Sequence, residues 1–415
     1  MTEETVPRPD RPTPLHRVDV AVVGGGLVGL TVAIGLAEAG LEVAVIDRAA
    51  PADQTLPAFD GRASAIAHAS VRLLETLGIW RHVADHQPIE QIRVSDGNSR
   101  LHLHFDAAEL GDGPLGEMVE NRHLRLALFR RAAEIKTLHL FAPVDLCAIE
   151  HAPGRVTLRL ADGSTIAAAL LIGADGRASR VRRQAGIRHF GWSYGQQGIV
   201  ATIRHELPHG GIAHERFLPS GPFAILPLTD HRSSLVWTVR DREADAAFGL
   251  PAALFEEAIR RRVGGFLGRI AVEGRRWRYP LGLQLAERYV APRTALVGDA
   301  AHGVHPIAGQ GLNLGLRDAA ALIEVLVEAA RLGEDPGDEL VLARYQQWRR
   351  FDNVLLACVT DGLNRLFSND ITPIRIARDL GMEVTGRIGP ARRFLMRHAR
   401  GTVGRLPRLL QGLPV

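Results

Sequence analysis

The stretch VDVAVVGGGLVGLTVAIGLAEAGLEVAVID, Val18 to Asp47, decides the fold. A β-branched run ends in Gly24-Gly25-Gly26, a small-residue helical pattern continues to Ala39, Gly40 stops it, and Glu42 to Ile46 reads as a second strand closed by Asp47. This is a β-α-β unit with dinucleotide-binding spacing. Gly24 permits the tight turn, Gly26 lets backbone approach a pyrophosphate, and Gly29 lets the helix pack closely. The Asp47 carboxylate stands where it can accept hydrogen bonds from a ribose diol, which favours an adenosine with a free 2′-hydroxyl, as in FAD and NAD.

Working outward, the chain of 415 residues has 46% hydrophobic and 23% charged residues, which suits a folded chain with two or three domains. No apolar run reaches the roughly 18 residues that span a bilayer. Residues 1–17 hold Pro7, Pro9, Pro12 and Pro14 without an apolar core, so they read as a disordered tail and not a secretory signal. With only Cys147 and Cys358, far apart in sequence, a reducing cytoplasm is the simpler expectation and no cysteine metal site is available. Of the 50 basic residues only Lys136 is lysine. The Arg-rich tracts at 260–262 and 275–278 lack a repeated aromatic platform, so nucleic acid is not expected as a partner.

Three further stretches carry chemistry. Asp60-Gly61-Arg62-Ala63-Ser64-Ala65 precedes a helix-like segment from Ile66 to Leu77; Arg62 there suits either a pyrophosphate, a substrate or a surface carboxylate. The apolar run Ile166 to Ile172 enters Gly173-Ala174-Asp175-Gly176-Arg177-Ala178-Ser179-Arg180, a second tight acidic turn. Finally Val297 to Asp318, VGDAAHGVHPIAGQGLNLGLRD, reads as a strand, an exposed loop and a helix beginning near Leu312. Glycines at 309, 311 and 315 leave room for a flat group against backbone, and the helix N-terminus offers unpaired N–H groups to negative charge.

Between these motifs, Ile89 to Phe105 alternates as paired strands, with His102 and His104 opposite Leu101, Leu103 and Phe105. The two histidines have the spacing of a ligand pair but no third ligand, so the expectation is no metal. Asn121 is a candidate cap for a helix from Arg122 to Ala133. Leu138 to Ile149 and Arg155 to Leu160 read as strands. Residues 198–204, 213–217, 223–228 and 233–240 suggest an antiparallel second domain that makes a cleft with the nucleotide domain. Helices are expected from Leu312 to about Arg331, from about Leu340 to Leu366, and from Pro373. Residues 361–415 hold ten arginines against four acids among scattered Leu, Met, Phe and Ile, a composition that fits core packing or contact with an anionic membrane or a partner protein.

GGGLVG at 24–29, GADGRASR at 173–180 and GDAAHGVHPIAGQGLNLGLRD at 298–318 stand in an order that resembles the single-component aromatic-hydroxylase class of flavoprotein monooxygenases. With DGRASAIA at 60–67 and YPLGLQLAERYV at 279–290, the chain is more narrowly similar to the aerobic ubiquinone-biosynthesis hydroxylase family, over about residues 18–360. The resemblance implies an α/β fold: a Rossmann-like FAD-binding domain, an inserted mainly antiparallel β substrate domain and a helical C-terminal region. The expected divisions are 18–88, 116–187 and 288–345 for the discontinuous FAD domain, 89–115 and 188–287 for the substrate domain, and 346–415 for the C-terminal region.

For the site, the resemblance implies that Gly24, Gly26, Gly29, Asp47 and Arg48 bind the ADP half of FAD, with Arg62 and Arg125 near the flavin or its phosphates. Asp47 stands where relatives commonly have Glu. Asp175 would contact both FAD and a transient NAD(P)H, and Asp299 the ribityl or pyrophosphate part. Pro306, Gly309, Gln310 and Gly311, with Leu312 and Asn313, would position the isoalloxazine; no acid-base residue is assigned, and His302 and His305 more simply shape the loop. The implied reaction is hydroxylation of a polyprenylated phenol in ubiquinone biosynthesis, using NAD(P)H and O2 through oxygen added at flavin C4a. Two other functions are weighed against it: hydroxylation of a small soluble aromatic, and a non-catalytic flavin-bound member of a quinone-biosynthesis protein complex. The implied location is the cytoplasm with peripheral contact to the inner membrane through the C-terminal region.

Overall fold

A computed structural model describes residues 15–97, 99, 102–369, 378, 381 and 387–415. Its first sheet is the nucleotide-binding one. Strand Leu15–Val23 lies between Val43–Ile46 and Thr165–Gly173, parallel to both, with Val22 opposite Val45 and Ile172. Leu138–Phe141 extends the sheet on one side and Thr294–Leu296 on the other, again in parallel. The inner strands are apolar on both faces because both are covered: helix Leu27–Glu38 packs on them, and Leu146, Val156, Leu158 and Leu160 of the antiparallel strands Leu146–Ala152 and Arg155–Leu160 join the same core. Helix Leu27–Glu38 packs on helix Gln310–Arg331, and a Cβ on Gly35 would stand 2.4 Å from Ile323 Cδ1, so this glycine sets the approach of the two helices.

The second sheet has eight strands and is antiparallel apart from one pair. In spatial order it runs His302–Gly303, Ile270–Ala286, His189–His205, Arg232–Arg240, Gly221–Leu228, Ile212–Leu218, Gln91–Asp96 and His102–Asp106; Ile212–Leu218 and Gln91–Asp96 are the parallel pair. One face, with Ile199, Ala201, Phe223, Ile225, Leu235 and Trp237, is sealed by helices Asp241–Phe248 and Ala252–Val263. The other face turns toward the nucleotide domain. A small third sheet, Ala63–Ala67, Gly116–Glu120 and Gln87–Ile89, stands between them.

Several expected boundaries shift. Leu15–Arg17, assigned to the disordered tail, are strand: their backbone continues the parallel ladder opposite Thr165 to Ala167 while their side chains stay exposed, so no burial pattern announced them. Residues 1–14 lie outside the described residues, as do Leu101 and the start expected at Pro373. Ile66 and Ala67 end strand Ala63–Ala67, and the helix starts only at His68. Leu138 to Ile149 is two strands, Leu138–Phe141 and Leu146–Ala152, broken at Pro143, which has no N–H to donate to a ladder. The strand expected from Gly198 begins at His189, because its exposed first half pairs with Leu281 to Ala286 of a long neighbouring strand. Asn121 does not cap its helix. Glu120 occupies the N-cap position, and the Asn121 side chain is drawn into hydrogen bonds with Ser64 and Asp60.

Candidate active site

The glycine turn at the head of the first helix is packed against the second acidic turn. Gly24 has φ +108, and a Cβ there would lie 2.3 Å from the carbonyl oxygen of Ala174, so both the conformation and the contact demand glycine. At Gly29 a Cβ would meet Gly24 O at 1.9 Å. Gly26, by contrast, has nothing within 4 Å of such an atom, and neither does Gly311 at the head of the later helix. Backbone at these two points borders open space, each at a helix N-terminus where N–H groups lack intrahelical partners. Asp47 accepts from Gly25 N at 2.6 Å and Ala49 N at 2.8 Å, which ties its carboxylate to the turn and leaves its remaining lone pairs for a ligand; Arg48 is exposed beside it.

Asp60 is the hub of a second cluster. Arg62 binds its carboxylate through two donors at 2.9 Å, Arg125 donates at 2.7 Å and Asn121 at 3.1 Å. Burial would raise this carboxyl, but the hydrogen bonds and charge of Arg62, with Arg125 and Asn121, hold it well below the usual carboxylate range. Arg62 also lies over the Tyr279 ring, 4.9 Å from its centroid, so strand Ile270–Ala286 helps fix it. Arg125 is 6% exposed, yet its Nε and Nη1 have no hydrogen-bond partner among the described residues. Buried guanidinium donors without acceptors are costly, and an anionic ligand would satisfy them.

Asp175 turns inward: it accepts from Ser179 Oγ, from Arg180 N at 2.6 Å and from Val181 N at 3.1 Å, holding the helix Arg180–Gln184. The rest of that motif joins the two domains. Arg177 donates to Gly282 O of the second sheet, and Arg182, 2% exposed, donates to Ala300 O at 2.8 Å. The turn thus clamps the inserted sheet to the loop before the late helix.

That loop is built from a 3-10 turn at Gly298–Ala300, the bridge His302–Gly303 paired to Leu285 and Gln284, and a second 3-10 turn at Ile307–Gly309. Asp299 and Pro306 are exposed, and Asp299 lies close enough to favour the charge on Arg62. Gly309 caps the late helix at φ +63, with Gln310 as the first helical residue. Leu312 packs against the main core, while Asn313 locks the loop to strand Ala63–Ala67, accepting from Ala67 N and donating to Ala65 O, both at 2.8 Å. His302 is buried against Asp318, its Nε2 hydrogen-bonded to the carboxylate, and His305 is fully buried with neither ring nitrogen partnered among the described residues.

The structure therefore brings Gly24, Gly26, Gly29, Asp47 and Arg48 together at the head of the first helix, sets Arg62 and Arg125 on Asp60 with Asp299 nearby, and ties the 309–313 turn to strand Ala63–Ala67, whereas the Asp175 side chain serves the fold. Open backbone at Gly26 and Gly311 and the unsatisfied donors of Arg125 fit a dinucleotide. Sequence reasoning missed Asp60 and Tyr279 as residues that shape the site, although both lie in quoted motifs. As for metals, Asp85, Glu120 and His123 present ligand atoms within 4.8 Å of one another, but Arg232 stands 3.5 Å from Asp85 and 3.6 Å from Glu120 and matches their charge.

The dinucleotide turn, the sheet facing the proline-glycine loop and the likeness to known hydroxylases together make this chain an FAD-dependent monooxygenase of the aromatic-hydroxylase class, an enzyme with NAD(P)H as co-substrate. The model of the FAD binding domain family matches residues 17–351. The chain belongs to the ubiquinone-biosynthesis hydroxylase family within that class. It is 50% identical over 401 residues to the ubiquinone hydroxylase UbiL of Rhodospirillum rubrum, covering 96% of this chain and 93% of that one. It is 38% identical over 386 residues to the 3-demethoxyubiquinol 3-hydroxylase of Escherichia coli, covering 92% and 98%. Among solved structures, p-nitrophenol 4-monooxygenase PnpA of Pseudomonas putida superposes with a TM-score of 0.78 over 94% of this chain and 100% of that one; at 19% identity this shows the shared fold.

Proposed function

We propose that this enzyme hydroxylates the aromatic ring of a polyprenylated phenol or quinone precursor in ubiquinone biosynthesis. The observation that carries the reading is the end-to-end likeness to a ubiquinone hydroxylase, and it is supported by an inner sheet face that is largely apolar where it meets the loop at 306–311. When bound, FAD accepts a hydride from NAD(P)H and activates dioxygen. The chain's part is to bind, orient and exclude water. Gly24, Gly26 and Gly29, with Asp47 and Arg48, hold the ADP end, and the turn that Asp175 braces packs against this glycine turn; Arg62 and Arg125 serve the phosphates; Asp299 holds the ribityl part. Pro306, Gly309, Gln310, Gly311, Leu312 and Asn313 seat the flavin ring, with helix N–H groups turned toward negative charge on its reduced form.

The same reading places the enzyme on the inner membrane. No helix among the described residues is long and apolar enough to cross one. On helix Glu339–Phe367, however, Phe351, Leu355, Val359 and Leu366 are exposed along one side, with Arg350 and Arg365 beside them. An apolar stripe edged by arginine suits an anionic lipid surface. A mixed outcome holds beyond it: Met396, Leu409 and Leu410 are core residues, whereas Ile388 and Phe394 are exposed.

The test is anaerobic reduction by NAD(P)H followed by oxygen in the presence of polyprenyl phenols and small aromatics, with product masses determined. A polyprenyl product gaining one oxygen is expected. Turnover of small aromatics alone would favour the small-substrate reading, and bound flavin that NAD(P)H does not reduce would favour a non-catalytic role.

A further inference from the structure

The reaction proposed above needs a ring made electron-rich, and a phenol becomes so when it loses its proton. Glu215 lies on strand Ile212–Leu218, with Ala213 and Phe217 two residues to either side and therefore on the same face. Ala213 belongs to the apolar cluster that takes in Ala63 and Ala65 of the small sheet, and Phe217 to the one that takes in Ile307 of the loop assigned to the flavin ring. Glu215 is bracketed between these contacts, on the face turned to the nucleotide domain. Its partners across the sheet are Val94 and Ala224, both apolar. One row further along that face Asp96 is buried, and its charge is matched by Arg378 at 2.7 Å. His214 and Arg216 alternate to the other face, where His214 meets the Phe266 ring. No hydrogen bond or ion pair engages Glu215 among the described residues, although it is only partly exposed.

A carboxyl set among apolar groups with nothing to bind is costly unless it serves a ligand. We infer that Glu215 is the catalytic base that takes the proton of the substrate's ring hydroxyl, an assignment that rests on the phenol reading above. In this step the phenolic O–H bond breaks, a new O–H bond forms on the Glu215 carboxylate, and the electron pair stays on the phenolic oxygen. No electron leaves either partner. Burial alone pushes the Glu215 carboxyl up to about 8, which brings it closer to a phenol than an ordinary glutamate is and makes the ionised form a stronger base.

The test uses the FAD-loaded enzyme with a polyprenyl phenol and compares wild type, Glu215→Gln and Glu215→Asp. Flavin absorbance and the rate of flavin reduction by NAD(P)H should be the same in all three, which shows that each folds and binds FAD. For wild type, kcat/KM of hydroxylation should rise with pH through about 8. Glu215→Gln should lose on the order of 100-fold in hydroxylation, show no such rise and release its oxygen as hydrogen peroxide; Glu215→Asp should restore part of both rate and pH dependence. Hydroxylation by Glu215→Gln at wild-type rate with an unchanged profile overturns the base assignment alone. So does a wild-type profile that is flat through that range. A wild-type enzyme that reduces its flavin but hydroxylates no phenol overturns the phenol reading and the base with it.

Discussion

Arg349 donates to Asp318 at 2.9 Å with both side chains withdrawn from solvent, although they stand 31 residues apart on different helices. Asp318 also accepts from Asn353 at 2.9 Å, from Gly298 N at 3.2 Å and from His302, so one carboxylate holds the start of the flavin loop, the late helix and the C-terminal helix together. Burial would raise this carboxyl, but His302, Arg349 and Asn353 outweigh it and keep it at about 2. Its folded value lies below the ordinary 3.8, so its contribution is complete above that pH and is lost as pH falls toward 2. Asp318→Asn would leave Arg349 buried without a counter-charge and should cost about 3–5 kcal/mol in denaturant unfolding at neutral pH. A loss under about 1 kcal/mol would show that the pair does not hold the loop.

The glycines at 26 and 29 should separate binding from folding. Gly26 has φ −79 and open space around a Cβ, so Gly26→Ala should fold with an unchanged Tm in the absence of FAD yet bind FAD at least about tenfold more weakly, roughly 1.4 kcal/mol. Gly29→Ala would drive a Cβ to 1.9 Å from Gly24 O and should lower the Tm of the apoprotein itself. Equal FAD affinity in Gly26→Ala and wild type, measured by flavin fluorescence, would remove the pyrophosphate from that spot.

Burial pushes His305 down to about 4, opposed only by the charge of Asp361. The unfolded chain therefore takes up this proton first on acidification, and stability falls as pH drops from 6.5 to about 4. The full effect is on the order of 3 kcal/mol for this group. Replacing it in His305→Leu should flatten the stability curve between pH 6.5 and 4.5, read by urea unfolding at each pH. His68 and His214 are lowered to about 4 as well, so part of the slope should remain. Parallel curves for variant and wild type would mean that His305 is hydrated or paired in solution.

The exposed stripe on helix Glu339–Phe367 should bind lipid. Phe351→Glu with Leu355→Glu changes two residues exposed by 72% and 50%, so FAD content and Tm should hold while co-sedimentation with vesicles containing anionic lipid falls several-fold. Wild type that ignores such vesicles at physiological salt would end the membrane assignment.

The residues from Val18 to Asp47 determined the nucleotide fold by themselves, because a tight turn, a close helix and a strand-end acid are local demands that few residue types satisfy. The order of three such motifs carried the class of enzyme through their resemblance to a known family. Tertiary structure alone decided what the side chains do. Asp175, in the middle of a nucleotide-like turn, spends its carboxylate on Ser179 and two backbone N–H groups. Asp60 gathers arginines from two segments, Asp318 binds partners 16 to 35 residues away, and Glu215 reaches the cleft through the register of one strand. A hydrogen bond or an apolar enclosure depends on distances between segments that the chain brings together only when its sheets pair, and the one-dimensional spacing of residues does not contain those distances.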